Sequence, residues 1–264
     1  MRPLGLLKGG FAALVVFFLI APLIAILPLA FTDSVFLNYP IPHFSFRWFV
    51  ELFTTDVWRR SIVNSLIVGS AATVLATVLG TLGALALRGK RMSFFFAAIR
   101  TVFLLPMVVP AVVLGVGMQL IFARWGLANS YLGVIIAHTV VGVPFVVVNV
   151  LAVLQSIDVR LEHAAASLGA SPPTTLWQVT LPLALPGIIS GAVFAFATSL
   201  DEVVLTLFVA GPNQRTLARQ MFSTIRENIS PAIAAAAFVF IAGTILLALV
   251  LNLVQKARGA SRPA

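Results

Sequence analysis

The sequence reads as an all-α membrane protein with six transmembrane helices. Its 264 residues are 60% hydrophobic and 9% charged, with a mean hydropathy of +1.08, whereas a soluble domain carries about 25% charged residues. A chain this apolar cannot hide its surface from water by folding on itself, so the bilayer is its solvent. Six apolar segments each approach the roughly 20 residues that a helix needs to cross the hydrocarbon. Short basic clusters lie against the ends of several of them, as membrane topology requires. The whole chain, residues 1–264, is therefore expected to form one transmembrane domain.

The expected spans are residues 9–31, 61–87, 94–122, 131–154, 183–210 and 232–254. The first follows Arg2 and Lys8 and is too long for the apolar part of a cleaved signal peptide, so it reads as a signal-anchor. Arg88, Lys90 and Arg91 follow the second span, and Lys256, Arg258 and Arg262 follow the sixth. Excess lysine and arginine marks the cytoplasmic side. Both termini are then expected in the cytoplasm, and so is the loop between spans four and five. Arg59, Arg60, Arg215, Arg219 and Arg226 fall on the opposite side and run against the rule. The net charge of +9 is thus assigned to topology. No interleaving of basic and aromatic residues suggests nucleic acid as a partner.

Smaller pieces fit around the spans. "FSFRWFVELF", Phe44–Phe53, reads as an amphipathic helix at the outer interface. "RTLARQMFSTIREN", Arg215–Asn228, reads as a short outer helix or loop on the mouth of the bundle. Pro106, Pro110 and Pro144 are expected to kink spans three and four, which membrane helices tolerate where neighbours satisfy the freed carbonyls. Gly69, Gly80, Gly83, Gly115, Gly117, Gly133 and Gly142 favour close helix packing.

The loop at residues 158–182 is more polar than a span and too patterned for a slack linker. Asp158 can cap a helix over Val159–Leu168, with Glu162 in its first turns. Gly169 stands where a left-handed residue closes a helix. Ser171 can cap a second helix that has Pro172 at its first position, where a missing N–H costs nothing. That helix is expected to run to about Leu181, with Pro182 marking its join to span five. A connector could be far shorter, and a capped helix–turn–helix on the cytoplasmic face suits a surface for a soluble partner.

"EHAAASLGASPPTTLWQVTLP" resembles the EAA loop of ABC importer permeases. That pattern is E-A-A, three residues, G, nine residues, then I-x-L-P. Here it is matched by His163, Ala164, Ala165 and Gly169, then by Val179, Leu181 and Pro182. His163 stands where the family often has glutamate, Val179 replaces isoleucine, and Glu162 supplies an acid one position earlier. "FSFRWF", "LLPMVVPAVVLGVG", "SLDEVVLTLFVAGP" and "RTLARQMFSTIRENISPAIAA" extend the resemblance over nearly the whole chain. They are similar to the second permease of spermidine/putrescine importers, a group that also takes other small amines, amino acids, opines and phosphonates.

The resemblance implies a type I importer permease fold in a bacterial inner membrane. It implies a coupling helix around Ala170–Leu176, including Ser171 and Pro172, seated on an ATPase homodimer that binds the ATP. A second, different permease subunit and an extracytoplasmic substrate-binding protein are the other implied partners.

Asp201 and Glu202 lie in an apolar run in the outer half of span five. Intramembrane acids are costly and mark pathways or ion pairs. Neighbouring helical residues point about 100° apart, so the two cannot face one ligand equally. Asp201 is the candidate for attracting a cationic amine, and the competing reading pairs it with Arg215 or Arg219, or makes it a gate lock. Asn64, Gln119, Asn129, His138 and Asn149 read as helix–helix glue, and a lone histidine is a weak sign of proton coupling.

The chain has no G-x-x-x-x-G-K-[ST] phosphate loop, no nucleophile elbow and no metal-ligand spacing, so it is not expected to be an enzyme or to hold a cofactor or metal. Cysteine is absent altogether, which removes disulfides and thiolate sites. An ion-driven transporter using Asp201 and Glu202 as its ion site is the main alternative, but it predicts an internal repeat that is not evident. A membrane enzyme would need catalytic residues that the sequence does not offer. A passive scaffold leaves the kinked spans and buried acids without a reason.

Overall fold

Tertiary packing here is helix on helix. The structure, a computed structural model, describes residues 3–88, 94–227 and 229–260. Arg2, Lys90, Arg91, Asn228 and Arg262, named above, lie outside the described residues. Twelve α-helices follow in order: α1 Pro3–Ile26, α2 Arg47–Thr54, α3 Asp56–Leu87, α4 Phe94–Val108, α5 Ala111–Trp125, α6 Tyr131–Ser156, α7 Arg160–Ser167, α8 Pro172–Thr175, α9 Leu181–Asp201, α10 Val204–Val209, α11 Leu217–Glu227 and α12 Ala232–Ala260. A 3-10 segment, Leu27–Phe31, extends α1, and a π turn, Leu176–Thr180, joins α8 to α9. Among the described residues the only β pairing is one isolated antiparallel bridge between Thr32 and Phe44.

By length and composition four helical stretches among the described residues can cross a membrane: Lys8–Phe31, Asp56–Leu87, Tyr131–Ser156 and Pro172–Asp201. A fifth follows if α4 and α5 count as one broken span, while the described apolar part of α12, Ala232–Leu246, is shorter.

The chain divides into two compact units, Met1–Arg59 with Met221–Ala264, and Arg60–Gln220. In the first, an aromatic cluster fastens the last helix to the segments after α1. Phe31 stacks on Phe44 at 5.0 Å, and Phe238 of α12 meets Phe31 and Phe49 at 5.3 and 5.6 Å. The expected interfacial helix is α2, which buries Trp48 and Leu52 and leaves Val50 and Phe53 exposed. The Trp48 indole donates to the Ser34 carbonyl at 3.2 Å, so its polar edge is satisfied while its rings are buried.

In the second unit α6 and α9 pack together most extensively. Their seam holds Val143, Val146, Val147, Val150 and Ala195, with Ala76 and Ala84 of α3 in the same cluster. Small residues set the spacing. A Cβ at Gly80 would lie 2.6 Å from the Val146 Cβ, and one at Gly191 2.8 Å from the Val146 Cα. Gly115 packs against the ring of Phe208, and Gly133 against the Leu127 carbonyl. Gly117 differs from the other expected packing glycines, for nothing lies within 4 Å of its added Cβ. Gly80→Val is therefore expected to destabilise the chain by about 1–3 kcal/mol through overpacking. Gly117→Ala serves as the control that leaves the melting temperature in detergent unlowered.

Two expected spans are broken, span three where a kink was expected and span five where none was. Span three bends by 105° between α4 and α5. Pro106 is carried inside α4, but Pro110 takes an extended ψ of 133° and becomes the residue from which α5 starts afresh. The residue before it is also pushed out of helical geometry by the proline ring. Span five stops at Asp201, and the chain restarts as α10 after Glu202 and Val203. The two broken-off pieces, α5 and α10, pack on each other. Phe122, Leu205 and Val209 are buried there together with Val134 of α6.

Candidate functional site

The loop between α6 and α9 is built from local rules. The Asp158 carboxylate accepts from the N–H of Arg160 at 2.9 Å, which fixes the first turn of α7. At the other end Gly169 has φ +83°. Its N–H reaches the Ala166 carbonyl and that of Ala170 reaches Ala165, both at 3.0 Å. These two bonds make a Schellman ending. Ser171 then takes an extended conformation and its hydroxyl accepts from the N–H of Thr174, with Pro172 at the first helical position.

The second helix does not end at Pro182. Residues Pro172–Asp201 form one unbroken 30-residue helical stretch. The proline is absorbed because the backbone widens into the π turn, where the Leu181 N–H bonds to the Leu176 carbonyl. A wider turn relieves the clash that a proline ring makes with the carbonyl four residues back.

The sequence-derived loop residues separate into two groups. His163, Ala164, Gly169, Ser171 and Pro172 are exposed, as is Pro182, while Ala165, Ala170 and Leu181 are half-buried. Glu162 turns inward. Its carboxylate pairs with Arg88 at the end of α3, and the same Oε1 accepts from the Thr180 hydroxyl at 2.6 Å. Partial burial pushes the Glu162 carboxyl up, but the Thr180 hydroxyl, the Arg88 guanidinium and the charge of His163 outweigh it and hold the group below its ordinary value. Because the folded-state value lies below the unfolded one, the stabilisation is present at neutral pH and is lost as pH falls through the lowered value. Sequence reasoning missed Arg88 and Thr180 as partners of Glu162. It also passed over Leu168 and Trp177, which are 89% and 71% exposed on this loop. Large apolar side chains at the polar end of a membrane protein were the available signal for those two.

The acidic pair sits at the break after α9. Glu202 takes an extended ψ of 103°, and its carboxylate accepts from the N–H of Leu205 at 2.9 Å, capping α10. At the far end of α10 the Arg219 guanidinium donates to the carbonyls of Thr206 and Ala210 at 3.0 and 2.6 Å. A six-residue helix thus has an anion at its N-terminus and a cation at its C-terminus, matching the signs of its dipole. Between them the buried His138 bonds Ser199 at 2.7 Å and Thr206 at 3.0 Å, linking α6 to both sides of the break.

Arg215 donates to Gln220 at 2.9 Å. Neither Arg215 nor Arg219 pairs with Asp201, which ends α9 exposed and has no salt-bridge partner among the described residues. Arg219→Ala leaves the carbonyls of Thr206 and Ala210 without their charged donor and is expected to cost about 1–3 kcal/mol. Arg215→Ala should cost less, and paired thermal melts in detergent check the order.

Other polar groups act as helix–helix ties. The Asn64 amide donates to the carbonyls of Asn213 and Arg215 and accepts from the Tyr131 hydroxyl at 2.7 Å. Asn149 accepts from Ser190 across the α6–α9 seam at 3.0 Å. Asn129 acts through its backbone, donating to Val209 from a positive φ of 56°. The Gln119 side-chain oxygen is buried with no hydrogen-bond partner among the described residues.

This chain is similar to known transport proteins. The spermidine/putrescine transport system permease protein PotC of Haemophilus influenzae is 30% identical over 256 residues, covering 95% of this chain and 96% of its own. The molybdenum transport system permease protein ModB of Mycobacterium bovis is 36% identical over 212 residues, covering 73% of this chain and 80% of its own. A crystal structure of a bacterial alginate ABC transporter, in complex with an alginate pentasaccharide-bound periplasmic protein, contains a chain of the same fold. It superposes with a TM-score of 0.72 at 19% identity over 98% of this chain and 96% of that one. Residues 76–259 match the model of the binding-protein-dependent transport system inner membrane component family. This chain belongs to that family and is a multi-pass inner-membrane permease of an ABC importer.

Proposed function

We propose that this chain is one of two different permease subunits of a polyamine importer and that it couples ATPase closure to alternating access. Six crossings, with both termini in the cytoplasm, account for the helices best. These are α1 with its 3-10 extension, α3, the α4–α5 pair, α6, the α8–α9 stretch and α12. The last runs 29 residues, more than the roughly 20 a crossing needs.

The observation that carries the coupling role is the capped loop. Its Schellman ending, its Ser171 cap and its helix continuous with α9 make a rigid arm on the foot of a span. His163, Ala164, Ala165, Gly169, Ala170, Ser171 and Pro172 form the face offered to an ATPase homodimer, with Leu168 and Trp177 as apolar anchors. ATP is bound by that partner. Leu181 and Pro182 connect the arm to the span.

The substrate assignment follows PotC, which covers 95% of this chain, and the Asp201 carboxylate at the end of α9, which has no salt-bridge partner among the described residues. A polyamine is a flexible polycation, and an unpaired carboxylate on the path offers it the opposite charge. An extracytoplasmic binding protein would deliver it, and the alginate transporter is seen in complex with an alginate pentasaccharide-bound periplasmic protein. Glu202 is spent on capping α10 and is not needed as a ligand.

The test is ATPase stimulation of the assembled importer by its binding protein, pre-loaded in turn with spermidine, putrescine or molybdate. Polyamine loads alone should stimulate. Stimulation by molybdate alone would replace the polyamine reading with an oxyanion one.

A further inference from the structure

α7 is an eight-residue helix between two joints. On one side Ile157 and Asp158 are non-helical, with Ile157 at ψ 124°. On the other lies Gly169 with its left-handed φ. An element hinged at both ends would absorb a push rather than pass it on. One side chain prevents this. The Oε1 of Glu162 is shared by Arg88, at the C-terminal end of α3, and by the hydroxyl of Thr180. Thr180 is buried and is the residue immediately before α9, on the same unbroken helix. Arg88 and Thr180 stand 74 and 18 residues from Glu162 in the chain, so the bond is a tertiary one on both arms. A carboxylate accepts several donors at once, and charge-assisted bonds are the stronger kind. Both members of the ion pair are largely shielded from water, with side-chain exposures of 14% and 26%.

We propose that Arg88, Glu162 and Thr180 form an internal tie that makes the coupling loop, α3 and α9 move as one body. The acid of this loop is then not a contact to the ATPase. It is a positioning residue that keeps the surface-facing part of α7 in register with two membrane helices. A displacement of the loop tip reaches α9 through the continuous helix and α3 through the ion pair. This proposal rests on the coupling-loop reading given above.

The experiment compares assembled importers carrying wild-type chain, Arg88→Gln, Thr180→Val, Arg88→Glu, and the swap Arg88→Glu with Glu162→Arg. Three quantities are read for each: ATPase retained on the purified permease, basal ATP turnover, and substrate molecules imported into proteoliposomes per ATP hydrolysed. The tie predicts that Arg88→Gln and Thr180→Val retain the ATPase and its basal turnover. Import per ATP should fall about tenfold in Arg88→Gln and less in Thr180→Val. Arg88→Glu should be the worst, and the swap should recover at least half of the wild-type ratio. A group that only stabilised the fold would lower the melting temperature and leave import per ATP unchanged, which would overturn the proposal.

Failure of the swap to recover, in a chain that inserts and retains its ATPase, would also overturn it. If Arg88→Glu does not assemble, Thr180→Val still decides, because its hydroxyl carries no charge and its loss leaves the ion pair in place. A wild-type chain that retains no ATPase would overturn the coupling reading itself, an outcome distinct from every failure of the tie.

Discussion

Gly169→Val is expected to reduce uptake at least tenfold while the chain still inserts in the membrane. Gly169 holds φ +83°, and nothing lies within 4 Å of the position its Cβ would occupy. Space is therefore not the constraint in this chain. The left-handed backbone is, and it costs an ordinary L-residue roughly 1–2 kcal/mol, more if it is β-branched. Relieving that strain means giving up the bonds of Ala170 to Ala165 and of Gly169 to Ala166, and with them the angle between α7 and α8. The series can be ordered. Asparagine tolerates the left-handed region best among side chains, so uptake should fall in the order Gly, Asn, Ala, Val. A partner surface packed so closely on Gly169 that side-chain size decides would give a different order, with Ala better than Asn. Uptake normalised to membrane protein, measured by immunoblot, separates strain from fit.

Asp201→Asn is expected to lower uptake of a polyamine by about tenfold, with little change in the amount of chain in the membrane. The side chain ends α9 exposed, and neither of the arginines expected to pair with it does so. Removing its charge therefore breaks no ion pair among the described residues, and the change should leave stability nearly unaltered. Glu202→Gln is the contrasting variant. It weakens the cap on Leu205 by about 1 kcal/mol and should act through stability, visible as a lower melting temperature. Uptake and thermal melts on both variants assign each acid to its role. Equal polyamine uptake by Asp201→Asn and wild-type chains would remove Asp201 from the path.

Much of the molecule was legible because short-range rules decide it. The apolar runs located the long helices, and the loop's capping residues Asp158, Gly169 and Ser171 could be read from spacing alone. Where tertiary contacts decide, the sequence was silent. Pro110 is visible as a kink, but a 105° turn also needs α5 to find α10, with the ring of Phe208 against Gly115. "SLDEVVL" holds neither glycine nor proline, so nothing announced a helix end at Asp201. The break persists because Glu202, Arg219 and His138 satisfy the ends and the middle of α10 from elsewhere in the chain.

Pro182 looked like a joint and is carried inside a continuous helix by a π turn that no local signal marked. The arginines that run against the basic-side rule have local employment. Arg59 pairs with Asp56 at 2.8 Å, Arg215 bonds Gln220, and Arg219 holds α10.

The most direct test of the account is a pull-down. Tagged chain is extracted from membranes that co-express the products of its neighbouring genes. ATPase activity of the eluate is measured with and without the loaded binding protein. The account predicts an ATPase that co-elutes, is stimulated by polyamine-loaded binding protein, and loses that stimulation in Gly169→Val. A well-folded chain that elutes alone, with no ATPase and no stimulation, would contradict it.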